Sequence, residues 1–306
     1  MAPALADEGA FSGLGDHAVA PTLTVVIPAY NEEDMIVGCL EALVGERDHI
    51  DRVVVVDNGS TDRTAAIVND FADRYPFVER LVEHNKGICF ARRAGFDAAR
   101  TDLVAKIDAD ARVHPGWAVR VKSFFGSDMG SGYAALTGLV LTWDGPSPAL
   151  QKKLSLLGAD PEEGRETGGL HGPNYVVRRS VWDEIRDNLL MSHDIWEDMD
   201  MSVTLSDAGQ KMYFDPLLIV DTSCRQLRFS PWANRNYIRG GIRTAKARGN
   251  KQALRIMRTE LPFRYVNFTG MWLLFRPWDN ESRTWRPHRL FMPLKRSRPL
   301  ITDDTA

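Results

Sequence analysis

Leu103-Val104-Ala105-Lys106-Ile107-Asp108-Ala109-Asp110 is the stretch on which the reading of this chain turns. Its first five residues form a short, largely apolar run with β-branched members, which describes a buried strand. Two carboxylates, Asp108 and Asp110, stand where that strand leaves its sheet. Open α/β sheets bind ligands outside the carboxyl ends of their strands. Two like charges this close repel unless something positive sits between or beside them. Asp110 and Asp108 are therefore candidate ligands of a divalent metal, in the arrangement by which Mg²⁺ or Mn²⁺ also grips phosphate oxygens. A solvated acidic turn would look the same in isolation, so the neighbouring segments decide.

Upstream, strand and helix signals alternate. Strands are predicted at 23–27, 52–56 and 77–83. Helices are predicted at 32–44, 63–74 and 87–99, the first with Met35, Ile36, Cys39, Leu40 and Leu43 on one face. Such alternation implies a mostly parallel sheet covered on both faces. Downstream the order changes. Helices are predicted at 117–125, 180–186 and 196–207, and strands at 133–143, 174–177 and 212–220. Residues 144–169 read as a Gly/Pro/Glu-rich loop around a short helix at 149–157. Basic helical stretches follow at 232–246 and 252–258, and the last 30 residues read as irregular. The expected organisation is a disordered tail over 1–21, an α/β catalytic domain over 22–222 divided at 110, and a basic extension over 223–306.

The chain of 306 residues holds three cysteines, Cys39, Cys89 and Cys224, with no metal-like spacing. A sparse, odd count argues for a reducing, cytoplasmic setting. The first 21 residues lack the basic start and apolar run of a secretory signal. No segment approaches the roughly 18 apolar residues of a membrane span; residues 266–275 read as a core or interfacial segment. The net charge of −3 conceals an asymmetry: residues 1–221 hold 20 Lys and Arg against 36 Asp and Glu, and residues 222–306 hold 18 against 5. The basic block suits a phosphate-bearing substrate, a peripheral contact with an anionic membrane, or the protein's own acidic body. Nothing in the chain points to nucleic acid.

Four polar clusters fall at four successive strand ends. They are Pro28-Ala29-Tyr30-Asn31-Glu32-Glu33, Asp57-Asn58-Gly59-Ser60-Thr61-Asp62, Asn85-Lys86-Gly87 leading to Ala91-Arg92-Arg93, and Asp108-Ala109-Asp110. Each alone would pass as a turn or helix cap. A parallel sheet brings all four to one cleft. Further along, Trp196-Glu197-Asp198-Met199-Asp200 opens a helix and offers three acids as a general base. Glu197 and Asp200, three apart, share a face, and Asp198 points away from both.

With these residues in place, the chain resembles the family 2 glycosyltransferases. The run from Val25 to Glu33 is similar to their opening motif, and the clusters at Asp57 and Asn85 to their second and third. Asp108-Ala109-Asp110 is similar to their Asp-x-Asp, and Gly172-Pro173-Asn174 with Trp196–Asp200 to their acceptor-side motifs. The resemblance covers about residues 23–215. It implies the GT-A fold, a nucleotide-diphospho-sugar donor (usually a UDP-sugar), a Mn²⁺ or Mg²⁺ ion and a hydroxyl acceptor such as a glycan, lipid-linked saccharide or natural product. It also implies roles. Pro28, Ala29, Tyr30, Glu32, Asn85, Lys86 and Ala109 would line the nucleotide-sugar site. Asp57 and Arg92 would meet the base, Asp108 the ribose and metal, and Asp110 the metal. Asp198 would be the catalytic base, giving inversion. Gly172, Asn174 and Glu197 would lie on the acceptor or diphosphate side. His171 is a further candidate for metal or acceptor.

Arg225-Gln226-Leu227-Arg228-Phe229 is similar, in degraded form, to the Gln-x-x-Arg-Trp motif of processive synthases. Its Gln and Trp are replaced, so transfer of a single sugar is expected, with Arg225 and Arg228 on the diphosphate side. Two other classes fit the sequence less well. A sugar-phosphate nucleotidyltransferase should carry a Gly-rich basic loop after the first strand, where this chain is acidic. A non-catalytic nucleotide-sugar-binding protein would have lost the Asp pair or the base.

Overall fold

The computed structural model describes residues 20–156 and 160–294. Most of the expected N-terminal tail, the end of the helix predicted at 149–157 and the last residues of the C-terminal stretch lie outside these. The first half alternates β1 (Leu23–Ala29), α1 (Ile36–Gly45), β2 (Arg52–Asp57), α2 (Thr64–Arg74), β3 (Val78–Val82), α3 (Ile88–Ala98) and β4 (Leu103–Ile107). The second contains β5 (Arg112–Val113), α4 (Trp117–Gly126), α5 (Asp128–Ser131), β6 (Ala135–Thr142), α6 (Pro148–Ser155), β7 (Arg165–Thr167), β8 (Asn174–Arg178), α7 (Arg179–Ile185), α8 (Glu197–Asp207) and β9 (Met212–Thr222). Then come α9 (Arg235–Ala247), α10 (Lys251–Thr259), α11 (Leu261–Phe275) and a small hairpin, β10 (Trp278–Asp279) and β11 (Thr284–Trp285).

The main sheet runs β3-β2-β1-β4-β8-β6-β9-β5, with β7 on β9. β3, β2, β1 and β4 are mutually parallel. β8 pairs antiparallel with β4 and β6, and β6 pairs parallel with β9. The chain winds outward from β1 to β3, then returns to place β4 on β1's other side. That reversal is a topological switch point, and the crevice it leaves at the carboxyl ends is where such sheets take ligands. Pro28–Tyr30 and Asp108–Asp110 leave from the two strands that flank it.

Period-2 alternation builds the core on both faces. Val25, Ile27, Val53 and Val55 face one layer, with α1, α2 and α4. Val26, Val54 and Val56 face the other, with α3, α7 and α8. Each fully buried Val or Ile contributes roughly 1.5–3 kcal/mol. Gly95 lets α3 press against Val26 and Val56, leaving no room for a Cβ.

The C-terminal helices are fastened to the body. The Trp196 amide, at the start of α8, donates to Thr244 Oγ1 of α9 (2.9 Å), and its indole donates to the Tyr237 carbonyl (2.9 Å). Arg248 pairs with the buried Asp200. α11 packs on the turn of residues 224–228. Residues 266–275, read as a core or interfacial segment, belong to α11. This helix buries Phe275 but exposes Phe263, Val266, Leu273 and Leu274. The hairpin of β10 and β11 stands where irregular chain was expected. Two-residue strands give too little periodicity to read.

Candidate active site

Hydrogen bonds tie the first three strand-end clusters into one wall. Ser60 Oγ and Thr64 Oγ1 accept from the amides of Asn31 (3.1 Å) and Glu32 (2.8 Å). Asn31 adopts a positive φ of 53°, which an Asn tolerates better than most residues, and its Oδ1 accepts from the Thr61 amide (2.8 Å). Asn58 donates to the carbonyls of Glu83 and Asn85 and accepts from the Gly87 amide. Asp57 accepts from the Ser60 amide (2.9 Å) and pairs with Arg80 (3.0 Å). On the open side, the Lys86 ammonium lies 4.3 Å from the centre of the Tyr30 ring, a cation–π contact.

The Asp pair has two unlike environments. Asp108 is one-third exposed and accepts a 2.6 Å bond from Lys106. Asp110 is largely enclosed; burial, opposed by Arg225, and the charges of Asp108, Glu32 and Asp144 push its carboxyl up to about 7. Arg225 Nε lies 3.2 Å from Asp110, while its terminal nitrogens grip Glu32 from both sides (2.8 and 2.5 Å). Among the described residues no three His, Cys, Asp or Glu side chains converge as a metal cage. Two hard carboxylate ligands whose remaining positions go to substrate phosphates and water is nonetheless the normal use of Mg²⁺ or Mn²⁺. An enclosed carboxylate among three other acids is a group a cation would relieve. The donor set fits such an ion, with Arg225 supplying countercharge at the same place.

Below the cleft lies a charged knot. Glu197 accepts from Arg92 (2.7 Å), Lys106 (3.0 Å) and the Tyr175 hydroxyl (3.4 Å). Burial would raise the Glu197 carboxyl, but the Lys106 and Arg92 charges outweigh it and hold it below its ordinary value. Lys106 also donates to the Gly172 carbonyl (2.8 Å). The Gly172 amide donates to Asp198 Oδ2 (3.2 Å), and Asp198 Oδ1 accepts from the Met199 amide (2.8 Å). Asp108, Lys106, Gly172 and Asp198 thus form one chain of contacts that passes through the buried Lys106. Burial raises the Asp198 carboxyl above its ordinary value, and the charge of adjacent Glu197 adds to this. Helical spacing separates the three acids of α8: Glu197 and Asp200 turn inward, and Asp198 is partly exposed.

Three residues named from sequence have other placements. Arg92 is fully buried, so it does not reach a base in the cleft; Cys89, Arg92 and Phe96 form the inward stripe of α3. Asn174 is also fully buried, because it opens β8 on the face of Val176. It accepts from the Trp117 indole (3.0 Å) and donates to the carbonyls of Leu218 (2.8 Å) and Leu139 (3.3 Å). Glu197 lies in the knot below the acceptor side. His171 is exposed, with Nδ1 2.7 Å from the Gly138 carbonyl. Lys106 is a functional residue that no motif marks. A lysine inside the apolar run 103–107 was its signal, since a charge in a buried strand requires partners.

A mixed sheet with its crevice between β1 and β4, at the strand ends that carry Asp108-Ala109-Asp110 and the other polar clusters, is the GT-A architecture. Residues 24–185 match the family Glycosyl transferase family 2. The chain belongs to that family. The mannosyltransferase PcManGT from Pyrobaculum calidifontis, solved with GDP-Man and Mn²⁺, is similar in fold, with a TM-score of 0.60 and 17% identity over 86% of this chain and 77% of that one. GalNAc-T7, solved with UDP, GalNAc and Mn²⁺, has a TM-score of 0.54 and 16% identity over 67% of this chain and 43% of its own. In sequence, the uncharacterized glycosyltransferase YibD of Escherichia coli (strain K12) is 36% identical over 93 residues, covering 30% of this chain and 27% of that protein. The undecaprenyl-phosphate 4-deoxy-4-formamido-L-arabinose transferase of Edwardsiella ictaluri (strain 93-146) is 35% identical over 107 residues, covering 33% of each. The matched stretches thus span about a third or less of these curated relatives.

Proposed function

We propose that this chain moves one sugar from a nucleotide-diphospho-sugar, a UDP-sugar by preference, to the hydroxyl of an acceptor, with inversion at the anomeric carbon. The observation that carries this reading is the contact chain from Asp108 through Lys106 and Gly172 to Asp198. In that chain Asp108 and the candidate base Asp198 stand at opposite ends of one polar path, which supports assigning the first to the donor and the second to the acceptor. Tyr30, Lys86, Asp57 and the loops they belong to form the wall against the nucleotide. Asp110 and Asp108 would hold a divalent ion, which when bound would neutralise charge on the leaving diphosphate as a Lewis acid.

Asp198 takes the proton from the acceptor hydroxyl as that oxygen bonds to the anomeric carbon. The bond from that carbon to the diphosphate oxygen breaks, and the nucleoside diphosphate leaves with the electron pair. Gly172 and Met199 amides hold Asp198 in place, and its raised proton affinity suits a base. Lys106 keeps a positive charge between the two acidic groups. Incubation with UDP- and GDP-sugars and Mn²⁺, followed by nucleoside-diphosphate release, tests this. Release that requires the metal and is lost in Asp110→Ala supports it; release unaffected by both removes the metal assignment.

A peripheral contact with an anionic membrane belongs to the same reading. Its support is the outward apolar face of α11, with Phe263, Val266, Leu273 and Leu274, beside exposed Lys251, Arg255 and Arg258 of α10. Among the described residues no helix is long and apolar enough to cross a membrane.

A further inference from the structure

Beside Arg225, which touches Glu32 and Asp110 of the strand-end clusters, lies a cavity of about 260 Å³. Arg225, Arg228, Arg276 and Arg289 line it, and Asp144 is the acid in its wall. Three of the guanidiniums have carboxylate partners: Arg225 with Glu32 and Asp110, Arg289 with Asp279 (2.9 Å), and Arg228 more loosely with Asp144 (3.5 Å). Arg276 differs. It is buried and donates to the Met292 carbonyl, and no carboxylate among the described residues pairs with it. Its charged form is disfavoured by burial and by the neighbouring charges of Arg289 and Arg228. Arg228 Nε is buried without a hydrogen-bond partner.

A guanidinium does not shed its proton in a protein. Enclosing one beside two others is costly unless an anion joins them. Oxygen atoms of a tetrahedral phosphate match several guanidinium forks at once. Ser223, Phe229, Met292, Pro293 and Leu294 complete the lining, so the cavity combines cationic and apolar walls. That pairing suits a phosphate attached to an organic body better than a bare ion. Arg276 and Arg289 come from beyond α11, outside the strand-end clusters that form the donor wall.

We propose that this cavity binds a phosphate or diphosphate group carried by the acceptor, anchoring it while a hydroxyl elsewhere on the same molecule receives the sugar. The proposal rests on the transferase reading above and narrows its acceptor to a phosphorylated one. Binding can be measured without turnover, so the two readings fail separately.

The test is calorimetric titration of the full chain with hexyl phosphate, inorganic phosphate and UDP. Hexyl phosphate is expected to bind more tightly than inorganic phosphate. Arg276→Gln is expected to weaken it at least tenfold while changing UDP affinity less than twofold. Should Arg276→Gln not fold, Arg289→Gln, whose side chain is about a third exposed, is expected to weaken hexyl phosphate several-fold. Unchanged hexyl phosphate affinity in the folded variant would overturn the proposal. So would inorganic phosphate binding equally well, which assigns the cavity to a free ion. Loss of UDP affinity in parallel would assign it to the donor instead. Absence of sugar-nucleotide turnover with hexyl phosphate binding intact would count against the transferase reading alone.

Discussion

Glu197 and Asp198 are neighbours in sequence and opposites in setting. Glu197 sits in the interior knot, where Arg92, Lys106 and Tyr175 satisfy it from three sides. Asp198 sits at the rim, held by two backbone amides and partly open to the cleft. In the knot the acid is held ionised by two cations, Arg92 through one nitrogen and Lys106, which it shares with Asp108. The rim, with Glu32, Asp108, Asp110 and Asp198, carries acids that burial or like charge pushes toward protonation or that remain partly exposed. A satisfied cluster stabilises a fold, whereas an under-compensated one is poised to take a cation or a proton. Lys106 joins the two regions, touching Asp108 above and Glu197 below.

This contrast can be broken at several points. The largest effect is expected at the rim. Asp110→Ala should lower metal-dependent turnover roughly 10²–10³-fold, the scale for removing one transition-state charge stabiliser, while the melting temperature stays within a few degrees. Steady-state kinetics across a Mn²⁺ titration check this.

In the knot, Glu197→Gln should cost roughly 3 kcal/mol, because it strands the buried Arg92 cation and leaves Lys106 with Asp108 as its carboxylate. A fall in Tm of several degrees, about 2–4 °C per kcal/mol in a chain of this size, would report it. The linkage has a definite sign. A carboxyl held below its unfolded value of 4.5 contributes stability above that pH and loses it as pH falls through its own lower pKa. The gap between wild type and Glu197→Gln should therefore narrow below pH 4.5 in thermal melts.

The two regions also meet in the pH profile. As the proposed base, Asp198 would work only when deprotonated, so turnover should fall about tenfold per pH unit below its pKa. Burial and Glu197 raise that pKa, placing the acid limb above the ordinary Asp value of 3.8. Glu197→Gln removes one raising charge and should move the limb to lower pH. A limb unmoved by that change would uncouple knot from rim. The smallest effect is expected furthest away. Val266→Asp on the outward face of α11 should reduce co-sedimentation with anionic vesicles several-fold and leave soluble-donor hydrolysis unchanged.

Much of this was legible in the sequence. Strand–helix alternation up to Ile107 gave the parallel half, because buried strands and amphipathic helices differ in period. The separation of Asp198 from Glu197 and Asp200 followed from helical spacing alone. The roles inside the knot were not legible. Arg92 sits in a motif but on the apolar stripe of α3, and whether such a charge faces a ligand or a partner depends on Glu197, 105 residues away. Asn174 illustrates the same limit, since its partners Trp117 and Leu218 come from distant segments. Arg276 and Arg289 belong to no motif; only packing of α11 against residues 224–228 brings them beside Arg228.

The central claim is that adjacent acids divide chemistry from stability, and one paired measurement tests it. Turnover and melting temperature are determined side by side for Asp198→Asn and Glu197→Gln. The account predicts that Asp198→Asn loses roughly 10²–10⁴-fold in turnover with a near-native Tm and unchanged nucleotide affinity, while Glu197→Gln loses mainly stability. Asp198→Asn with wild-type turnover, or Glu197→Gln with native stability and abolished turnover, would contradict it.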